Sequence, residues 1–162
     1  MIFSSRRDFL LSVGAVPLLR RSQRPNVLLF MTDQESAMLK GPVKRPAYDQ
    51  LRNRGVEFSH MFCNTPQCSP ARGALLTGLE PHHNGVLTNV DKSSLGKPLP
   101  PGLPTVGTSF QEAGYKTGYF GKWHLGNEST GPGAFGFGEY QPGSDESASH
   151  AAALWIKKHR GP

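Results

Sequence analysis

The run Val27-Leu28-Leu29-Phe30-Met31-Thr32 constrains the fold more than any other stretch of this chain. Its apolar residues follow one another without alternation, so neither face of an extended segment here suits water. Such a run predicts a parallel strand covered on both faces. Asp33 follows at its C-terminal end, the edge where open α/β sheets bind ligands. Two further strand patterns follow: Val56 to Phe62 alternates, with Val56, Phe58 and Phe62 on one side, and Lys116 to Phe120 ends at a Gly121 turn. Helical patterns lie among them. Pro46 to Arg54 opens on a proline suited to a first turn, sets Ala47 and Leu51 on one face and stops at Gly55. Thr105 to Ala113 carries Val106 and Phe110 at i, i+4 before Gly114. Ser144 to Arg160 has a serine cap, acids in its first turn, an apolar stripe of Ala148, Ala152, Trp155 and Ile156, and a basic end. The alternation predicts α/β architecture, a parallel-type sheet with flanking helices.

The stretch Cys68-Ser69-Pro70-Ala71-Arg72-Gly73-Ala74-Leu75-Leu76-Thr77-Gly78 reads as a polar nucleophile at the start of a short helix. Ser69 serves as N-cap, Pro70 suits the first helical position, Leu75 and Leu76 supply an apolar face, and Gly78 stops it. Cys68 then sits where backbone N–H groups and the helix dipole favour an anion. Arg72, one turn on, can point back at the same anion. The competing reading is a buried cysteine ahead of a core helix, since free cysteine is among the most buried residue types. Polar Gln67 and Ser69, the Pro70 turn and Arg72 weigh against it. Lys122 and His124 fall at the end of the third strand, on the same ligand edge. Alone, His124 reads as a structural histidine beside Trp123. Asp33 is a hard oxygen donor suited to calcium or magnesium, and equally a turn or cap residue. His82 and His83, after Pro81, read as structural or surface residues in a loop.

With 162 residues, one domain is expected. The net charge of +6 suggests a nucleic-acid partner only superficially. Residues 1–24 carry +4 of it, and no lysine- or arginine-dense run follows, which argues against polyanion binding. Two cysteines, Cys63 and Cys68, are too few for a disulfide scaffold, though they could pair with each other. Glycine and proline concentrate in Lys97 to Pro104 and Gly131 to Gly143, read as surface loops. Residues 1–23 are read as a leader and 24–162 as the domain. Arg6-Arg7 followed by an apolar run to Leu19 resembles a Tat export signal, which implies a periplasmic or extracellular product. That run is too short to span a bilayer, so no stable membrane insertion is expected. The competing reading is an ordinary basic N-terminus; the directly following Arg20-Arg21 and the lack of a clear small-x-small cleavage site count toward it without displacing the export reading.

Three blocks carry a family resemblance. Cys68-Ser69-Pro70-Ala71-Arg72, followed by Leu75-Leu76-Thr77-Gly78, resembles the Cys-x-Pro-x-Arg signature of the type I sulfatases. Gly114-Tyr115-Lys116-Thr117-Gly118-Tyr119-Phe120-Gly121-Lys122-Trp123-His124 is similar to that family's second signature. Arg24-Pro25-Asn26 through Asp33 resembles its first strand and metal-binding turn. The blocks keep the family's order and span roughly residues 24 to 160. The resemblance implies an alkaline phosphatase-like α/β fold, here an incomplete sulfatase N-terminal domain. It implies a calcium ion, with magnesium the alternative, held by Asp33, by the Gln34 carbonyl where many members have a second acid, and by Cys68 in modified form. Glu35 is a substitute ligand. It further implies that a formylglycine-generating enzyme oxidises Cys68 to formylglycine, which leaves Cys63 unpaired as a small hydrophobe near a strand end. The hydrated aldehyde attacks the sulfur of a sulfate ester through one hydroxyl and the alcohol leaves. The other hydroxyl then loses its proton and sulfate is expelled. Arg72 would stabilise the diol, Lys122 a sulfate oxygen, and His124 would orient the diol or move a proton. The implied partner is a sulfated small-molecule or carbohydrate substrate.

The family's other metal ligands, an Asp-Asn or similar pair, and a later histidine and lysine are expected further along than this sequence runs. Asp145-Glu146, at a helix start, is a poor substitute. The sequence is therefore read as the N-terminal part of a sulfatase, and little activity is expected of these residues in isolation. Two rivals stay open: a phosphonate or phosphate monoester hydrolase with the same signature, and a non-catalytic remnant. A redox or metal-thiolate protein is disfavoured, because Cys63 and Cys68 are not spaced as Cys-x-x-Cys and no Cys/His cluster completes a zinc site. The loops Gly85 to Pro104 and Gly126 to Gly143 would shape the pocket, but they carry no polar constellation that names a substrate.

Overall fold

The computed structural model describes residues 24–36, 44–91, 95–126 and 131–159. The leader reading lies outside them. Helix α1 spans Pro46–Arg54, with its proline in the first turn and Arg52 and Arg54 in the last. Helix α2 spans Cys68–Thr77, α3 Pro81–Asn84 and α4 Val106–Glu112. Strand β1, Gly118–Phe120, is followed by a 3-10 turn at Pro132–Phe135, strand β2 at Glu139–Gln141 and helix α5 at Asp145–Lys158. The two strands are parallel, with Tyr119 opposite Tyr140. The ladder continues one step beyond, where the Gly121 amide donates to Gln141 O at 2.9 Å. Gly121 then takes φ 100, a conformation open to glycine at no steric cost, and turns the chain off the sheet toward Lys122. Helix α5 lies on β1 through Phe120 and Trp155, whose ring centroids are 5.9 Å apart.

Two expected strands are not formed. Val27 to Thr32 and Val56 to Phe62 have irregular or turn backbone without a ladder. Phe30 is 74% exposed and Phe62 85%. A strand exists through its neighbours, and the described sheet consists of β1 and β2. The apolar pattern of both runs encodes a burial that the described residues do not supply. Cys63 is accordingly exposed rather than tucked in at a strand end. Leu51, on the apolar face expected of α1, is exposed for the same reason. The strand expected from Lys116 shortens to Gly118–Phe120. Thr105 proves to be the cap of α4 rather than its first residue: its hydroxyl accepts from Thr108 N while Thr108 Oγ1 accepts from Thr105 N, a reciprocal capping box. His82 and His83 sit in α3 rather than in a loop, and both are exposed.

The core gathers Leu76, Val86, Leu99, Trp123, Leu125 and Phe135. Leu99 and Phe135 come from the two glycine- and proline-rich stretches read as surface loops. They are buried because their backbones are tied inward: the Leu99 amide donates to Leu125 O at 2.8 Å, and Thr105 Oγ1 donates to Phe135 O at 2.6 Å. Arg24 tethers the N-terminal segment by donating to Ala113 O and lying over the Tyr115 ring.

Gly107, inside α4, faces the Phe135 carbonyl and the Phe137 ring so closely that a Cβ there would overlap backbone. Alanine normally gains roughly 1 kcal/mol over glycine in a helix. Overpacking at this contact costs about 1–3 kcal/mol. Gly107→Ala is therefore expected to lower the urea midpoint rather than raise it, and a raised midpoint would show that the α4 contact is looser than described.

Candidate functional site

Helix α2 begins two residues earlier than the cysteine motif suggested. Gln67 is its N-cap, with φ −115 and ψ 140, and Cys68 is the first helical residue. Ser69 is not the cap, because its polar groups point elsewhere. Its hydroxyl donates to His124 O at 2.6 Å and accepts the Val90 amide at 3.0 Å. Its own amide donates to Asn89 Oδ1 at 3.1 Å. A side chain from outside the helix thus satisfies one of the first-turn amides expected to face an anion. The far end is as anticipated: Gly78 has φ 69 and its amide donates to Ala74 O.

Arg72 projects from the first full turn of α2 and is buried, 7% exposed. Its Nη1 donates to Tyr119 OH at 3.0 Å and to Lys122 O at 2.5 Å. Its Nη2 reaches Asp33 Oδ1 at 3.4 Å. Lys122 Nζ donates to Asp33 Oδ2 at 3.0 Å and lies 3.8 Å from Cys68 Sγ. Tyr119 OH donates to the Lys122 carbonyl at 2.7 Å, so that carbonyl accepts from both Arg72 and Tyr119. Arg72 is the buried member of the network, while the Lys122 and Asp33 side chains are 39% and 41% exposed. The segment carrying Lys122 and His124 is pinned between them by Trp123. That indole is in the core, edge-on to Tyr119 at 5.2 Å and against Phe135 at 5.4 Å.

The structure thus brings Asp33, Cys68, Arg72 and Lys122 into one network. His124 is tied to it through the Ser69 bond and through electrostatic coupling to Lys122, Arg72 and Asp33. Gln34 follows Asp33 with a left-handed φ of 57 and is exposed. Glu35, the substitute ligand, is ion-paired with Arg45 instead. Ser69's tie to His124, and Tyr119 and Asn89, were not anticipated. Their bonds join residues 20 to 55 positions apart, and no local pattern signals such a pairing.

The Lys122 hydrogen bond, reinforced by Arg72, holds the Asp33 carboxyl below its ordinary 3.8. Burial, then the Lys122 and Arg72 charges, hold the His124 imidazole below 6.5. Its Nδ1 is buried without a hydrogen-bond partner among the described residues, unlike a satisfied structural histidine. Burial pushes the Tyr119 phenol above 10, so it stays a donor. Both depressed groups make the unfolded chain bind more protons on acidification, so stability falls as pH falls. The His124 contribution starts to be lost as pH drops below 6.5, and the Asp33 contribution below 3.8 as its folded carboxyl takes up a proton. A series of urea midpoints from pH 8 to 3 is expected to decline in those two windows, with His124→Gln removing the upper one. A midpoint that rises on acidification from pH 7 to 5 would contradict this.

Among the described residues no group of three or more His, Cys, Asp or Glu is placed to hold a metal ion. Calcium takes 6–8 oxygen ligands. Asp33 with Gln34 covers a fraction of that, and both Asp33 oxygens already accept from cations. The described residues therefore do not by themselves fit a calcium ion.

The family model described as Sulfatase matches residues 25–156. The chain is 39% identical over 105 residues to the extracellular sulfatase SULF-1 homolog of Drosophila melanogaster, covering 64% of this chain and 9% of that protein. It is 32% identical over 107 residues to the Delta 4,5-hexuronate-2-O-sulfatase of Bacteroides thetaiotaomicron, covering 63% of this chain and 22% of the relative. A solved structure of a sulfatase candidate from Bacteroides thetaiotaomicron superposes with TM-score 0.52 at 26% identity, covering 69% of this chain and 26% of that one. The fold is accordingly α/β of the alkaline phosphatase-like type, and the chain spans no more than about a quarter of these relatives.

Proposed function

The chain belongs to the sulfatase family, and on that premise we propose that its Cys68 network is the nucleophile and oxyanion side of a site that hydrolyses sulfate monoesters. The observation that supports this is the meeting of Arg72 and Lys122 on a single carboxylate beside Cys68 Sγ. Two fixed cations against one anion leave an excess of positive charge, and a sulfate monoester carries the complementary charge. Cys68 oxidised to formylglycine by a formylglycine-generating enzyme would supply, as its hydrate, both a nucleophilic hydroxyl and a second hydroxyl for releasing sulfate.

The remaining work falls to side chains already placed. Arg72 is preorganised by Tyr119 and the Lys122 carbonyl, so it lends charge at the helix start without reordering. Lys122 is the more exposed cation, suited to meet a sulfate oxygen as charge builds on it. His124 is held neutral near pH 7 by burial and its cationic neighbours, so its imidazole can accept a proton and pass it to the leaving alcohol. Asp33 and Gln34 are the residues of this chain that would contribute to a divalent cation, calcium or magnesium, with the remaining oxygen ligands required from elsewhere.

Sulfated carbohydrates are the substrate class that the Bacteroides relative's name supports. Export is supported by the twin-arginine leader pattern and by the extracellular Drosophila relative. No helix among the described residues is long and apolar enough to cross a membrane. The Asp33-Gln34 turn, with one acid where many members have two, keeps a second reading open, a phosphonate or phosphate monoester hydrolase. Turnover of an aryl sulfate against an aryl phosphonate by the native protein separates them. Preference for the sulfate is expected, and preference for the phosphonate would overturn the assignment.

A further inference from the structure

Ser69 is fully buried, yet its hydroxyl serves no bond within its own helix. The hydroxyl hydrogen goes to the His124 carbonyl at 2.6 Å, and the oxygen accepts the Val90 amide at 3.0 Å. One side chain thereby joins three segments: the helix start that carries Cys68 and Arg72, the loop at Val90, and the turn that carries Lys122 and His124. His124 takes φ 61, a left-handed conformation that non-glycine residues keep only where their surroundings over-determine it. Trp123, the residue before it, is buried in the core, and the Ser69 hydroxyl holds the His124 carbonyl. We propose that Ser69 is a positioning residue, whose hydroxyl fixes the backbone at His124 and so sets the orientation of the imidazole and the place of the Lys122 ammonium beside Cys68. Its consequence for catalysis rests on the sulfatase reading, whereas the positioning itself does not.

The test uses nuclear magnetic resonance on the labelled chain, with Ser69→Ala, Ser69→Thr and a control, Thr77→Ala. Thr77 Oγ1 donates to Gly73 O at 2.7 Å in the same helix, so the control removes a comparable hydroxyl bond away from the site. In Ser69→Ala, exchange of the Val90 amide is expected to speed up by at least about tenfold. The His124 imidazole, which faces Lys122, Arg72, Asp91 and Asp33, is expected to titrate closer to 6.5 than in the parent chain. Ser69→Thr, which keeps the hydroxyl, should move both readings back, and Thr77→Ala should lower stability while moving neither. A Ser69→Ala chain that loses stability like the control, with Val90 exchange and His124 titration unchanged, overturns the proposal. Should Ser69→Ala fail to fold, the parent chain decides: slow Val90 exchange supports the bond, and exchange at the rate of an open amide overturns it. Failure of the native protein to hydrolyse sulfate esters would sink the sulfatase reading and leave these readings in place.

Discussion

Replacing Cys68 by alanine is expected to abolish sulfate-ester hydrolysis by the native protein, a loss of at least about 10⁴-fold in kcat/KM, because the covalent route disappears with the side chain. The fold should survive. Cys68 has intermediate exposure and its sulfur lies 3.8 Å from the Lys122 ammonium, so little packing is lost with it. Unchanged far-ultraviolet circular dichroism and urea midpoint, together with lost turnover, are the expected pair of results. Activity retained within tenfold would show that Cys68 is not the nucleophile's source.

Arg72→Ala is expected to damage both stability and activity. Removing a buried guanidinium leaves Tyr119 OH, the Lys122 carbonyl and Asp33 each short of a donor. Breaking a buried charge network by deleting one partner costs roughly 3–5 kcal/mol. The lower part of that range is expected here, since Asp33 is 41% exposed and water can replace the lost bond to it. Turnover should fall by about 10³-fold, as for removal of a preorganised charge-stabilising donor. Arg72→Lys should recover part of the stability and little of the turnover, because one ammonium cannot reproduce the planar fork that meets several acceptors. Urea midpoints and kcat/KM on the two variants check both statements. An Arg72→Ala chain as stable as the parent would contradict the described network.

Much of the site was legible because its chemistry is concentrated in short blocks. Arg72 lies one turn from Cys68, and Lys122 and His124 follow directly on a strand that ends in glycine. Those patterns are local, so residue order alone places them. The sheet was less legible for the opposite reason. Val27 to Met31 has a buried strand's composition but finds no ladder among the described residues, and composition cannot say which neighbour a strand will have. The loop stretches misled in the other direction: glycine and proline marked turns correctly, while Leu99 and Phe135 between those turns are core residues held by backbone bonds to distant segments. Ser69 combined both difficulties. Its position suggested a local cap, and its hydroxyl instead ties residues 55 positions apart.

Whether Cys68 is the residue converted into the nucleophile can be read from the mass of its proteolytic peptide. In protein produced together with a formylglycine-generating enzyme, the peptide is expected to have one oxygen in place of the sulfur and two hydrogens. A peptide that carries only the unmodified thiol, in a preparation where a control sulfatase is converted, would contradict the account.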